Sequence, residues 1–318
     1  MNHKMHAVII QNFGGREQLK YVELPKPAIN EGEVLIQIKA AGVNPVDWKI
    51  REGWLREFIP HHFPLILGWE MAGVVAELGY SARRFKVGDE VYAYCRRPCV
   101  KQGTYAEYIS LPESYLSYRP KNLTFEESAG VPLAALTAYQ AIYSTAHLQE
   151  GQRLLVIGAS GGVGSFAVQY GKLIGAQVIG VASGRHRHYL KQLGIEQVLD
   201  YTETPNFATR LHECLPDGVD VVFDCVGGGA LYAGQTCVKK GGVLVSIVEQ
   251  LPEEQKYPFD FHYVFVEPNV MQLEHICQLF EQEQLQIHID AVYPLADVAK
   301  AHEVSELLHT RGKIVLRV

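Results

Sequence analysis

Apolar and polar residues alternate in short segments through the first third of the chain. Residues 33–40 (EVLIQIKA) alternate as a strand does when only one of its faces is buried. Other short apolar or alternating segments follow turns, and the predicted strands cover residues 7–10, 33–40, 72–79, 87–93 and 103–109. Short strands at this spacing predict a partly closed β-barrel.

The pattern changes near residue 124, where Thr124 followed by Glu127 is typical of a capped helix start. Beyond residue 153, short apolar runs alternate with helical segments. The predicted strands there cover residues 154–159, 178–182, 197–200, 219–226 and 243–248. Runs of this kind indicate parallel strands buried on both faces, and their alternation with helices predicts a doubly wound α/β sheet. Strand character returns at residues 287–294 and 313–318.

Composition narrows the class of protein. The chain has 318 residues, 47% of them hydrophobic and 20% charged, which suits two globular domains. A net charge of −6 disfavours an electrostatic interaction with nucleic acid. No window reaches the ~18 apolar residues that a membrane helix needs, so we expect no membrane span. The six cysteines show no disulfide framework, and we therefore expect a reduced, cytoplasmic setting.

A glycine-rich turn follows the predicted strand at residues 154–159. Residues 158–164 (GASGGVG) join that strand to a helical segment, which is the context of a dinucleotide-binding turn. The N–H groups at the start of such a helix bind phosphates. Ala159 stands where the first glycine is usual, and a glycine turn without a ligand is the alternative interpretation. The cofactor contacts expected here are Ser160, Gly161, Gly162 and Val163.

The segment after the second strand of this sheet distinguishes NAD from NADPH. NAD enzymes carry an acid there to bind the ribose 2′-OH. This chain carries Ser183, Arg185 and Arg187 and no acid, and a hydroxyl with two guanidiniums would bind a 2′-phosphate. We predict NADPH, with a solvated basic loop as the alternative. Further cofactor contacts are expected where the following strands end, at Tyr201, Val226, Gly227 and Ile247.

Several motifs together resemble those of a known family. They are AGVNPVD at residues 41–47, LGWEMAG at 67–73, VGDEV at 87–91, GTYAEY at 103–108 and the glycine turn. In this order they resemble the medium-chain dehydrogenase/reductase superfamily, and within it the zinc-free quinone oxidoreductase (zeta-crystallin-like) branch. The resemblance implies a GroES-like catalytic domain (residues 1–122 and 288–318) and an inserted Rossmann NADPH-binding domain (residues 123–287). It also implies a nicotinamide in the cleft between them, and a homodimer.

Two replacements separate this chain from the zinc alcohol dehydrogenases of that superfamily. Asn44 stands where those enzymes have a cysteine ligand, and Trp69 where they have a histidine; neither side chain is a competent zinc ligand. A structural zinc would need four closely spaced cysteines, whereas only Cys95 and Cys99 are near each other. The adjacent His61 and His62 are read as loop residues, and the protein is expected to bind no metal.

Without a metal, a plain ketone lacks its main electrophile, whereas a conjugated acceptor yields a delocalised enolate that a few hydrogen-bond donors can stabilise. The resemblance likewise implies quinones and α,β-unsaturated carbonyls as substrates. We expect catalytic roles for Asn44, Lys49 and Thr137, with Asp47 as a structural hydrogen-bond acceptor. The remaining cofactor contacts implied by the resemblance are Pro45, Phe265 and Arg311.

The sequence thus predicts an NADPH-dependent reductase that transfers hydride to a quinone or an enone (or alkenal) without zinc. A zinc-type alcohol dehydrogenase is one alternative. The other is an NADPH-binding structural protein that has lost catalysis.

Overall fold

The computed structural model describes residues 4–195, 197–203, 206–252 and 254–318. Contacts divide the chain into two compact units. The terminal unit comprises Met1–Leu133 and Glu267–Val318, and the middle unit comprises Ala134–Val266. The limits expected from the sequence lie at 122/123 and 287/288, and they stay a prediction about autonomous domains. The contact borders differ from them because helices on either side of the middle unit pack on strands of the terminal unit.

The first part of the terminal unit is mainly β. Its strands are β1 (Lys4–Ile10), β2 (Lys20–Pro25), β3 (Glu33–Val43), β4 (Leu65–Ile66), β5 (Glu70–Leu78), β6 (Glu90–Tyr94), β7 (Tyr108–Pro112) and β8 (Leu116–Tyr118). Its helices are α1 (Pro45–Arg51) and α2 (Phe125–Ala129), and α3 (Pro132–Tyr139) begins at its border. Thr124 caps α2 by accepting from the Glu127 N–H at 3.2 Å, which confirms the predicted helix start.

The middle unit alternates strands and helices. After a π-helical turn at Gln140–Thr145 come β9 (Arg153–Ile157), α4 (Gly162–Ile174), β10 (Gln177–Ala182), α5 (Arg187–Gln192), β11 (Gln197–Asp200), α6 (Phe207–Cys214), β12 (Val219–Asp224), α7 (Gly228–Cys237), β13 (Val238–Ser246) and β14 (Asp260–Tyr263). Among the described residues these strands form one sheet in the order β11-β10-β9-β12-β13-β14, and every pairing in it is parallel. This is the Rossmann order, with the first strand at the centre of the sheet.

The chain then returns to the terminal unit with α8 (Val270–Glu281), β15 (Ile289–Pro294), α9 (Val298–Glu306) and β16 (Lys313–Arg317). The described strands of this unit form two sheets, β2-β1-β4 and β15-β16-β3-β5-β6-β8, with β7 paired to β3. Strand β16 is antiparallel to β3, and Ile314 is opposite Val43. The last strand is therefore adjacent to the residues that open helix α1.

The predicted α/β class, with a GroES-like β unit and a Rossmann-like parallel sheet, is confirmed. One predicted strand was wrong over most of its length: residues 103–107 form a loop, and β7 begins only at Tyr108. The side chains of Thr104, Tyr105 and Ala106 are all fully buried, so the apparent alternation does not mark two faces of a strand. Strands β2, β4, β8 and β14 were not predicted, because they are short or lie at sheet edges where apolar patterning is weak.

Candidate active site

The glycine turn closes the carboxyl end of β9. Gly158 has a φ of +81°, a left-handed conformation that favours glycine. A side chain on Gly164 would lie 2.2 Å from the Gly158 carbonyl oxygen, so helix and turn pack backbone against backbone. At Gly161 the nearest atom to an added side chain lies 3.5 Å away, which leaves this side of the turn open. The first N–H groups of a helix have no intrahelical acceptor, and the turn fits a dinucleotide phosphate.

Ala159 stands where the first glycine of the turn is usual, and a glycine on the neighbouring strand makes room for its side chain. Its Cβ lies 2.9 Å from where a side chain on Gly180 would begin. Gly180 belongs to the adjacent strand β10, and its lack of a side chain provides the space that Ala159 occupies. The unusual turn is therefore compensated within the sheet.

The basic loop after β10 contains the three residues expected to bind a 2′-phosphate. Arg185 and Arg187 are exposed, and Ser183 is half-buried. Arg185 Nε donates to His186 Nε2 at 3.0 Å, while the Arg187 guanidinium lies 4.0 Å from the exposed carboxylate of Glu203.

Asp200, at the end of β11, was missed as a neighbour of this loop. A side chain on Gly184 would collide with its Oδ2. Its Oδ1 accepts from the Thr202 N–H at 2.9 Å and from the Thr202 hydroxyl at 2.6 Å. Burial opposes ionisation, but the Thr202 hydrogen bonds, a hydrogen bond from Gly184 and the Arg187 charge outweigh it and lower the pKa of Asp200. An ionised carboxylate therefore lies beside the two guanidiniums of the loop.

Asp224 joins the loops that follow β12 and β13. This fully buried carboxylate accepts from the N–H groups of Val226 and Gly227, each at 3.0 Å, and from the Ser246 hydroxyl at 2.8 Å. The N–H of Ile247 donates to the Asp224 carbonyl at 3.2 Å. Burial raises the pKa of Asp224, against these hydrogen bonds. The sequence signal that could have identified it is an acid at the end of an otherwise apolar strand.

Most expected cofactor contacts of the middle unit therefore meet at one sheet edge. These contacts follow the five strands β9 to β13, whose carboxyl ends lie on the same side of a parallel sheet. In chain order they include Ser160, Ser183, Tyr201, Val226 and Ile247. The other two expected residues of this unit lie elsewhere in the chain. Thr137 is buried in α3, one turn before the π-helical segment, and Phe265 is half-buried just after β14.

In the terminal unit, Asn44 lies in a buried polar cluster between β3 and α1. Its amide nitrogen donates to Glu70 Oε1 at 2.7 Å, and its amide oxygen accepts from the Lys313 ammonium. Lys313 also pairs with Glu70 Oε1 at 2.7 Å, and Glu70 Oε2 accepts from the Leu133 N–H at 2.7 Å. The Asn44 amide, 3% exposed, is thus held by protein groups on both sides. Sequence reasoning missed Glu70 and Lys313, whose pairing depends on strands far apart in the chain.

Lys49 lies on α1, in which Pro45 is the exposed first residue. Its ammonium is half-buried and lies 5.8 Å from the ring centroids of both Trp48 and Trp54. Burial lowers the pKa of Lys49. Across the described residues the ammonium has no hydrogen-bond acceptor, and the buried Trp48 Nε1 likewise has no partner. Donors left unpaired in a partly dry setting are suited to binding an oxygen atom of a ligand.

Arg311, expected to reach the cofactor, is half-buried, and its Nε donates to His288 Nε2 at 2.8 Å. Over residues 4–195, 197–203, 206–252 and 254–318, no group of three His, Cys, Asp or Glu side chains is arranged to hold a metal. Within the same ranges, no helix is long and apolar enough to cross a bilayer.

Comparisons with known proteins agree with this architecture. The family model for the alcohol dehydrogenase GroES-like domain matches residues 30–121, and the model for zinc-binding dehydrogenase matches residues 193–316. A chloroplastic quinone-oxidoreductase homolog of Spinacia oleracea is 31% identical over 333 aligned positions, which cover 98% of each chain. The chain belongs to the medium-chain dehydrogenase/reductase superfamily.

Two further superfamily members extend the comparison. A chloroplastic NADPH-dependent alkenal/one oxidoreductase of Arabidopsis thaliana is 33% identical, covering 98% of this chain and 79% of its own. The structure of the quinone oxidoreductase from Coxiella burnetii has a TM-score of 0.85 at 30% identity and covers 99% of both chains. This superfamily member is accordingly an NAD(P)H-dependent oxidoreductase that acts on a small molecule.

Proposed function

We propose that this protein is an NADPH-dependent reductase that transfers hydride to quinones or α,β-unsaturated carbonyls without zinc. The observation that carries the proposal is the engagement of the Asn44 amide by Glu70 and Lys313. In zinc enzymes of the superfamily this position is a metal-binding cysteine. An amide is a poor zinc ligand, and this one already bonds to a carboxylate and an ammonium. Trp69, at the second ligand position, cannot bind zinc either.

The Lys49 ammonium supports a conjugated acceptor as the substrate. NADPH, when bound, supplies the hydride, and the electrons of the acceptor's double bond move to its oxygen. A donor aimed at that oxygen stabilises the enolate or hydroquinone anion as it forms. Lys49 is such a donor, since its ammonium is partly desolvated and has no acceptor within the described structure. After hydride transfer, the anionic carbon or oxygen of the reduced acceptor takes a proton from water.

The other proposed site residues orient the cofactor. Ser160, Gly161, Gly162 and Val163 would bind its phosphates with backbone N–H groups, and Val226, Gly227 and Ile247 would lie along its nicotinamide half. Thr137, Pro45, Phe265 and Arg311 are carried over from the superfamily resemblance. Asn44 would act chiefly by holding the start of α1, because both of its amide atoms are bonded within the protein.

The preference for NADPH rests on the basic loop. Ser183, Arg185 and Arg187 would bind the 2′-phosphate, while Tyr201 would lie against the adenine. Asp200 opposes this preference with its negative charge, but its oxygens accept from Thr202 and Gly184, and Arg187 lies close enough to lower its pKa. The Glu203 carboxylate is exposed and 4.0 Å from Arg187, and Asp200 is internally bonded, so the two guanidiniums favour a bound phosphate.

Steady-state rates with three acceptors and both cofactors test the proposal. Purified protein is assayed with NADPH and NADH against a naphthoquinone, a 2-alkenal and a cyclic enone, and its metal content is measured in parallel. We expect turnover of at least one acceptor, NADPH preferred by about tenfold or more, and no stoichiometric zinc. One zinc per chain with alcohol oxidation would establish the zinc-type alcohol dehydrogenase instead. Tight NADPH binding without turnover on the panel would establish a non-catalytic protein.

The oligomeric state and the location of the protein are also proposed. A homodimer is expected from the superfamily, and light scattering after size-exclusion chromatography tests it. A cytoplasmic location is proposed from cysteine usage, and imaging of the tagged full chain tests it.

A further inference from the structure

A chain of four buried polar side chains links helix α9 to helix α1 within the terminal unit. Asp47 Oδ2 accepts from the Tyr105 hydroxyl at 3.0 Å, and that hydroxyl lies 3.2 Å from His302 Nε2. His302 Nδ1 lies 3.1 Å from Arg51 Nη1. None of the four residues is more than 1% exposed. Because water does not reach them, the hydrogen bonds of these residues are made within the protein, and Asp47 Oδ1 has no hydrogen-bond partner among the described residues.

The direction of each hydrogen bond is determined at the Arg51 end. A guanidinium has only donors, so Arg51 donates to His302 Nδ1. The proton of the neutral His302 ring then lies on Nε2 and is donated to the Tyr105 oxygen. The single hydroxyl proton of Tyr105 is therefore donated to Asp47. One tautomer of His302 and one orientation of the Tyr105 hydroxyl are compatible with all three of these hydrogen bonds.

Asp47 is the member of this chain that titrates near neutral pH. Burial raises its pKa to about 7, against hydrogen bonds from Asn44 and Tyr105. Burial and the charges of two arginines lower the pKa of His302 to about 3, and burial raises the pKa of Tyr105 well above its usual value. The charged and titratable groups that face Asp47 from neighbouring elements are Lys313, Glu70, Tyr94 and Tyr105, with His302 and Arg51 behind Tyr105.

This hydrogen-bond chain holds helix α1 at both ends of the helix. At the first turn, Asp47 accepts from the Asn44 N–H at 2.8 Å. At the last turn, Arg51 donates to the Gly14 carbonyl at 3.0 Å and to Glu306 at 2.8 Å. Lys49 lies between these anchors, and its ammonium makes ring contacts but no hydrogen bond to any described residue. The position of that ammonium therefore depends on helix α1 and on its contact with the Trp54 ring.

We propose that Arg51, His302, Tyr105 and Asp47 are positioning residues, whose one-directional hydrogen-bond chain fixes helix α1 and thereby the Lys49 ammonium. Its consequence for turnover rests on the proposed function, whereas its consequence for Lys49 itself does not. The chain does not conduct protons to the site, because it ends in a guanidinium that keeps its protons at any working pH.

The test replaces Tyr105 with phenylalanine and uses Tyr92→Phe as the matched control. Tyr92 is equally buried, and its hydroxyl donates to the Leu273 carbonyl at 2.7 Å. Melting temperatures first establish that both variants fold. Lys49 reactivity is then measured with trinitrobenzenesulfonate and peptide mass spectrometry, which needs no turnover. Rates are measured as kcat, KM for NADPH and the pH profile of kcat.

For Tyr105→Phe we expect kcat to fall about tenfold with KM for NADPH unchanged, because Asp47 loses one charge-assisted hydrogen bond. Protonation of Asp47 weakens the hydrogen bonds that hold helix α1, so kcat should fall at acidic pH. This acidic limb should move up by about one pH unit in the variant, since the lost bond favoured the ionised carboxylate. The labelling rate of Lys49 should change severalfold. Tyr92→Phe should show none of these effects.

His302 provides a second comparison. In His302→Gln the amide can accept from Arg51 and donate to Tyr105, so we expect wild-type pH dependence and labelling. His302→Leu breaks the chain and should behave as Tyr105→Phe does. Identical kinetics, pH profile and labelling in Tyr105→Phe and Tyr92→Phe would overturn the proposal. If the wild-type protein reduces no acceptor, the proposed function fails, and the labelling comparison still decides the positioning role.

Discussion

The ammonium of Lys313, on the last strand of the chain, donates a hydrogen bond to the amide oxygen of Asn44. The same ammonium pairs with Glu70, which also accepts from Asn44 and from the Leu133 N–H. Lys313 is 4% exposed and Glu70 is fully buried. An ion pair so far from water depends on both partners, because the loss of one leaves an uncompensated buried charge.

Lys313→Met should therefore lower the free energy of unfolding by about 3–5 kcal/mol. Arg317→Met is the matched control on the same strand, since Arg317 is 67% exposed and pairs with Glu126 at 2.8 Å. Its loss should cost at most about 1 kcal/mol, as expected of a surface ion pair. Urea unfolding of the two variants measures the difference. Equal losses would mean that Lys313 is accessible to water in solution.

Asp47→Asn should change how stability depends on pH. The pKa of Asp47 rises from 3.8 to about 7 on folding, because burial disfavours the charge. Between these values the folded protein binds more protons than the unfolded chain, so this group's contribution to stability falls as pH rises from about 4 to 7. The neutral variant loses that dependence, and it should gain stability relative to wild type between pH 5 and pH 8.

Thermal melts across that pH range test this prediction. Asp217→Asn, which alters an exposed carboxylate, provides the control and should follow wild type. A wild-type pH dependence retained in full by Asp47→Asn would show that another group titrates there.

Gly164→Ala should weaken nucleotide binding and stability together. The new Cβ would lie 2.2 Å from the Gly158 carbonyl oxygen, so helix α4 must move away from the glycine turn. We expect a loss of about 1–3 kcal/mol in stability and a marked increase in the dissociation constant for NADPH, measured by fluorescence titration. Gly229→Ala is the control, because nothing lies within 4 Å of its added Cβ. Comparable binding in the two variants would place the phosphates away from this turn.

Arg185→Ala should raise KM for NADPH about tenfold and leave KM for NADH unchanged, because one charge-assisted contact to the 2′-phosphate is lost. Arg210→Ala removes a similarly exposed guanidinium paired with Glu213 on helix α6 and should alter neither constant. Initial rates at varied cofactor concentration make the comparison. Equal changes for both cofactors would exclude a phosphate-specific role.

Lys49→Met should lower kcat for a quinone or enone by about 10²-fold, the usual effect of losing one oxyanion donor. KM for NADPH should stay within about twofold of wild type if Lys49 acts on the acceptor. Because burial lowers the pKa of Lys49, the wild-type rate should fall at alkaline pH, and this limb should disappear in the variant. Lys20→Met, at an exposed position on β2, is the control. An unchanged kcat in Lys49→Met would remove this residue from the mechanism.

The strands and helices of the middle unit could be predicted from local patterns in the sequence. Buried parallel strands appear as continuous apolar runs, and the predicted segment 154–159 contains most of strand β9 (Arg153–Ile157). The glycine turn could also be predicted from the sequence, because a left-handed backbone conformation is one that only glycine adopts easily. Thr124 and Glu127 likewise form their capping box within four consecutive residues. Each of these features is decided by neighbours in the chain.

The polar clusters, in contrast, were decided only by the tertiary structure. Glu70 and Lys313 meet because β16 pairs with β3, and Tyr105 meets His302 because a loop before β7 packs against α9. Asp200 reaches Gly184 because β11 lies beside β10. The sequence alone therefore determined the fold class and the residues at the glycine turn. It could not determine which charges are buried or paired, because a hydrogen bond between residues 269 positions apart leaves no periodic trace in either segment.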